Sequence, residues 1–140
     1  MTALRTIAVG FDGSPDADTA ARWAFELAVQ VDAEVILVHA VGLIEHTKRQ
    51  SVVAVLEDSV RTLIDEGGIE PPRVRLHVAD GDACSVLLRA TDAPINADLL
   101  VVGSRGQGAH AGMLLGSTSL ELAEHSTIPL VIVPATRDPE

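Results

Sequence analysis

The stretch Arg5–Val41, RTIAVGFDGSPDADTAARWAFELAVQVDAEVILVHAV, changes its hydrophobic period twice. Arg5 to Phe11 reads as a strand, and DGSP, Asp12 to Pro15, then supplies a turn. Ser14 stands where a helix cap is needed and Pro15 at the first helical position, where a missing N–H is no loss. Ala20, Ala24, Leu27, Ala28 and Val31 then recur at helical spacing, with Asp18, Arg22 and Glu26 falling largely outside the stripe. Glu34 to Val41, EVILVHAV, is a short continuous apolar run, as a strand buried on both faces requires. Strand, helix and strand in succession make a parallel crossover unit.

The rest of the chain repeats that unit. After the polar connection GLIEHTKRQS, Gly42 to Ser51, the apolar positions Val53, Leu56, Val60, Leu63 and Ile64 predict a second helix that stops at Gly67-Gly68. Arg73 to Val78 alternates like a strand, ACSVLLRAT from Ala83 is helix-like, and Asp98 to Gly103 is a strand. Ser117 to His125 should be helical, and PLVIV from Pro129 is a last strand. The order β-α-β-α-β-α-β-α-β predicts one α/β domain over residues 1–140, an open parallel sheet with right-handed crossovers and helices on both faces. Ligands bind such sheets beyond the C-terminal strand ends, where the strand order reverses. That rule points to the loops after strand 1 (Asp12 to Ser14), strand 2 (Ala40 onward) and strand 4.

Composition narrows the function. Apolar residues are 47% of the chain and aromatics 2%, so Val, Leu, Ile and Ala must build the core. A formal net charge of −10, with no basic run longer than Lys48-Arg49, makes nucleic acid a poor partner, because a phosphate backbone draws on clustered cations. The lone Cys84 excludes an intrachain disulfide and fits a reducing compartment. No apolar run reaches the roughly 18 residues of a membrane span, and MTALRTIAVG lacks a signal-peptide core, so the expectation is a cytoplasmic protein with no membrane partner.

The loop after strand 4, GSRGQGAHAGMLLGSTS from Gly103 to Ser119, holds five of the eleven glycines. It is not a phosphate loop of the G-x-x-x-x-G-K-[ST] kind, since GMLLGST has three residues between its glycines and no lysine. GQGAHA, Gly106 to Ala111, matches G-x-G-x-x-A but follows the fourth strand instead of the first, which argues against a nicotinamide dehydrogenase. The loop does contain Gly103-x2-Gly106-x9-Gly116-Ser117. With VGFDGSPDADTAARWA before it and STIPLVIVP after it, the chain resembles the universal stress protein family over nearly its whole length.

That resemblance implies strand order 3-2-1-4-5 and the binding of ATP with Mg²⁺ across the C-terminal edge of the sheet. Gly10 and Ala40 would line the adenine, and Val102 and Thr118 would flank the phosphate loop. Gly103 and Gly106 would lie against phosphate oxygens without a Cβ in the way, while Gly116 and Ser117 would present amides at a helix N-terminus. Ser117 also reads as the N-cap of the last helix. Asp12 has two readings: a cap for its own turn, or a holder of ribose hydroxyls or of nucleotide-bound Mg²⁺. Arg105 reads either as a phosphate partner or as a solvated loop arginine. The resemblance further implies a nucleotide-dependent sensor or regulator in stress response and a homodimer through the last strand, Pro129 to Val133. A slow ATPase or autophosphorylating enzyme ranks below it, with Ser117, Thr118 or Ser119 as acceptor. A binder of AMP or cyclic AMP, or a nucleotide-free interaction module, is the third reading.

Other residues carry blander expectations. His39, His46, His77, His110 and His125 show no metal-ligand spacing, and only His110 sits inside the loop. His39 is expected to pack at the end of strand 2, Cys84 to be a small buried hydrophobe and Trp23 to pack. No G-x-S-x-G elbow or Ser, His and Asp set is evident, so no catalytic residue is assigned.

Overall fold

The computed structural model describes residues 3–42, 49–68, 73–104 and 116–134. In chain order these form β1 (Thr6–Gly10), α1 (Pro15–Val31), β2 (Glu34–Val41), α2 (Arg49–Gly67), β3 (Arg73–Asp80), α3 (Ala83–Arg89), β4 (Leu99–Gly103), α4 (Ser117–His125) and β5 (Leu130–Val133). The strands make one parallel sheet of order β3-β2-β1-β4-β5, the Rossmann-like order expected. Side chains alternate across it. Ile7, Val9, Val35, Leu37 and Val101 pack with α1 and α2 on one face, while Ala8, Ile36, Val38, Leu100 and Val102 pack with α3 and α4 on the other.

Local chemistry explains most boundaries. Ser14 Oγ accepts from the Ala17 amide at 3.2 Å, so α1 begins as read, and it ends at Asp32 in the left-handed region (φ 57°). The connection after β2 is shorter than expected, because Arg49, Gln50 and Ser51 already belong to α2; residues 43–48 lie outside the described residues. β3 runs two residues past Val78, since Ala79 and Asp80 stay in register with Ala40 and Val41. Asp98 stands before β4, not in it, and its side chain accepts from the Arg5 and Thr6 amides at 3.0 and 3.1 Å, tying the entries of β1 and β4 together.

The stripe of α1 differs from the expectation. Its buried residues are Ala17, Ala20, Ala21, Ala24, Phe25 and Ala28, whereas Val31 is 41% exposed. The small alanines let the helix lie close on β1 and β4, and Val31, in its last turn, falls outside the buried face. Trp23, expected to pack, keeps 37% of its surface in solvent.

Helix and sheet come into close contact at Gly103, the last residue of β4. A Cβ there would stand 2.7 Å from the Asp16 carbonyl oxygen and 2.9 Å from its carbonyl carbon, so the first turn of α1 rests on bare backbone. A Cβ on Gly10 would meet only side-chain ends, Leu87 Cδ1 at 3.1 Å and Val102 Cγ1 at 3.2 Å. Backbone must shift in the first case; methyl groups yield in the second. We expect Gly103→Ala to lose about 1–3 kcal/mol in urea unfolding and Gly10→Ala to lose clearly less; equal losses would contradict this packing.

Candidate functional site

Strand order reverses between β1 and β4, so the chain leaves the sheet there in opposite directions and opens a crevice at the C-terminal edge. At the C-terminal edge of the sheet three turns, after β1, β3 and β4, are held by hydrogen bonds among the described residues. After β1, Asp12 Oδ1 accepts from the Ser14 amide at 2.9 Å, and Gly13 takes a positive φ of 78°. This closes the turn as the capping reading of Asp12 requires. Beside it, His39 Nδ1 lies 3.0 Å from the Phe11 carbonyl oxygen, at the end of β2 as expected.

After β3, Gly81 (φ 132°) donates its amide to the Val41 carbonyl at 3.1 Å, and Asp82 caps α3 by accepting from the Ser85 amide and hydroxyl. The Ser85 amide, then its hydroxyl, hold the Asp82 carboxyl below its ordinary 3.8. That stabilisation is present above pH 3.8 and is lost as pH falls through the lowered folded value. Arg89 completes the turn, its Nη2 donating to the Asp80 carbonyl at 2.9 Å. Sequence reading passed over Arg89, although its place seven residues after the cap puts it on the same side of α3.

The third turn is the glycine loop, of which the two ends are described. Ser104 donates its amide to the Val133 carbonyl at 2.9 Å and accepts from the Gly116 amide at 2.6 Å, so the chain departs and returns at one point. Ser119 Oγ then donates to the Gly103 carbonyl at 2.9 Å, locking the first turn of α4 onto β4. Ser104, buried and central to this junction, carried no sequence signal beyond its place between Gly103 and Arg105.

The cap of α4 is a correction. The N-cap is Gly116, in extended backbone (φ −75°, ψ 166°), and Ser117 is the first helical residue. The N-cap makes no side-chain hydrogen bond to the first amides of α4, and Gly116 has given its own amide to Ser104. The Ser117 and Thr118 amides therefore open the helix at the positive end of its dipole, with Ser117 exposed and Thr118 half-buried.

The sequence-derived residues sort by place. Gly10 and Val102 meet on the α3 side of the sheet beneath the crevice, Val102 being buried, and Ala40 lies partly buried on the same face. Asp12 and Gly103 sit on adjacent strand ends, and Gly116, Ser117 and Thr118 rise from the junction with Ser104. Arg105, Gly106, Gly108, His110, Gly112 and the MLL segment lie outside the described residues. Cys84 is buried, and burial, with Glu121 nearby, pushes its thiol above 9.0, as suits a packing residue. Among the described residues no group of three His, Cys, Asp or Glu side chains could hold a metal ion, and no helix is long and apolar enough to cross a membrane.

A family model described as the universal stress protein family matches residues 3–134. The chain belongs to the universal stress protein family. A universal stress protein of Mycobacterium tuberculosis is 34% identical over 91% of this chain and 46% of its own length. The chain spans about half the length of the curated relatives it matches. A universal stress protein solved in complex with cAMP is 26% identical, covers 96% of this chain and 100% of its own, and superposes with a TM-score of 0.72. UspA from Lactobacillus plantarum superposes with a TM-score of 0.81 over 95% of this chain and 99% of its own; at 17% identity it speaks for the fold alone.

The capping and ligand readings of Asp12 separate experimentally. Asp12→Asn keeps the oxygen that accepts from Ser14 and removes the charge, whereas Asp12→Ala removes both. We expect urea unfolding to give Asn within about 0.5 kcal/mol of the parent and Ala about 1 kcal/mol below it. A large loss in Asn would mean that the charge itself holds the turn.

Proposed function

We propose that this universal stress protein binds ATP with Mg²⁺ in the crevice between the ends of β1 and β4 and acts as a nucleotide-dependent sensor or regulator. The observation that carries the reading is the start of α4: amides of Ser117 and Thr118 with no side-chain cap, held at the switch point by the Ser104–Gly116 bond. Such a helix start suits a phosphate group, which brings acceptor oxygens and negative charge to the positive end of the dipole. Gly106 and Gly116 keep Cβ atoms away from that phosphate, Gly103 offers it backbone while its own Cβ position faces α1, Arg105 pairs with it, and Val102 and Thr118 flank it. Gly10 and Ala40, small residues at the ends of β1 and β2, line the adenine. Asp12, fixed by its bond to Ser14, meets the ribose hydroxyls or a nucleotide-bound Mg²⁺. The metal would supply charge neutralisation between the carboxylate and the phosphates.

A second reading has support of its own. The relative solved with cAMP takes a nucleotide carrying one phosphate, and the two uncapped amides of α4 are enough for one. AMP or cyclic AMP then replaces ATP in the same crevice. The sequence offers no general base near the glycine loop apart from Asp12 or His110, so hydrolysis and autophosphorylation rank below binding.

Denaturing the purified protein and identifying released nucleotide by mass spectrometry, followed by titration of ATP, ADP, AMP and cyclic AMP, tests both. We expect one of the four to bind at micromolar to millimolar concentration and Gly116→Val to abolish it with the far-UV spectrum unchanged. Absence of binding by all four at millimolar concentration removes the reading.

β5 is a four-residue apolar edge strand, three of whose residues are only half-buried, and the proposed homodimer forms by pairing it with a second copy through Pro129–Val133. Light scattering should then give twice the chain mass at micromolar concentration, and Ile132→Lys the single mass; a parent of single mass would remove the dimer.

A further inference from the structure

We propose that Asp18 is a proton-uptake site of the folded chain, held in the cleft between α1 and α2, so that mild acid strengthens the packing of these helices. The cleft has a volume of about 310 Å³ and is lined from α1 by Asp18 and Arg22 and from α2 by Asp58, Ser59, Thr62 and Glu66, among others. Asp18 Oδ1 is buried there and makes no hydrogen bond among the described residues. An ionised carboxylate oxygen so placed is costly, and a proton removes the charge that makes it so.

The surrounding charges do not relieve that cost. Arg22, one turn further along α1, has its guanidinium 3.7 Å from Glu66 and so divides itself between two carboxylates. Asp58 is answered by Arg61 on its own helix at 3.0 Å. From the β1–α1 turn Asp12 adds a third negative charge. Burial holds the Asp18 carboxyl above 3.8; Arg22 draws it down, while Asp12 and then Glu66 raise it further.

The sign follows. A folded value above the unfolded one means that the native chain binds the proton more tightly, so the contribution of Asp18 to stability is fully present below pH 3.8 and is lost as pH rises through the folded value. Asp18→Asn keeps the shape and carries no charge at any pH. Its Tm should exceed the parent's at pH 7, and the gap should shrink as pH falls toward 3.8. Carbon-detected NMR titration of the Asp18 carboxyl in the parent, which requires no variant, should give a midpoint above 3.8. A midpoint at or below 3.8, or a Tm difference that stays constant with pH, overturns the proposal.

Discussion

The backbone of Asp16, in the first turn of α1, lies where a Cβ on Gly103 would have to stand. This contact sets the height of α1 over β1 and β4, and with it the depth at which Ala20, Ala21, Ala24 and Ala28 enter the core. Alanine-rich packing gains little area per residue, so it stabilises only if the helix lies close. Gly103 permits that closeness at the end of the sheet where the site also lies. Its missing Cβ faces α1, so the residue has a packing reason independent of any ligand. What it offers a phosphate is backbone, the resource that side-chain packing leaves untouched.

From the same residue the glycine loop is defined by its exits. Ser119 binds the Gly103 carbonyl, Ser104 binds Val133, and Gly116 binds Ser104, which brings β4, β5 and α4 to one junction. These bonds also determine which donors are left. Gly116, whose amide is used, serves as a cap that lets the chain enter α4 in extended backbone, and the next two amides carry the exposed end of the dipole. The spacing of G-x2-G-x9-G-[ST] is thus a spacing between two ends of a closed loop.

The fold was legible because its signals are local. Buried parallel strands such as EVILVHAV are apolar on both faces, and Ser14-Pro15 announces a helix start through the backbone chemistry of a few residues. Gly116 and Ser117 were harder to separate, since both suit an N-cap and only the bond from Gly116 to Ser104, twelve residues earlier, decides between them. Trp23 and Val31 misled for a related reason. Periodicity finds an apolar stripe but not which of its residues the packed helix buries. Asp18 was read as one of the polar residues outside the stripe, and its burial arises only where α2, some forty residues on, covers it. The position of Gly103 was legible from the motif, but the direction of its Cβ required the sheet.

A net charge of −10 is compatible with the proposed anion site because much of that charge is committed elsewhere. At the N-terminal edge of the sheet Glu34 faces Arg73 and Arg75 at 3.7 and 2.8 Å, and Asp98 receives two amides of β1. At the C-terminal edge Asp12 and Asp82 accept from amides of their own turns. Peptide dipoles do not titrate, and over a few ångströms they outweigh a diffuse field screened within about 8 Å at physiological salt. The start of α4 therefore keeps its character whatever the global charge. What the acidic surface would change is the encounter: the proposed anionic nucleotide would approach against the mean field and be held, once arrived, by the few fixed donors that the Ser104–Gly116 junction presents.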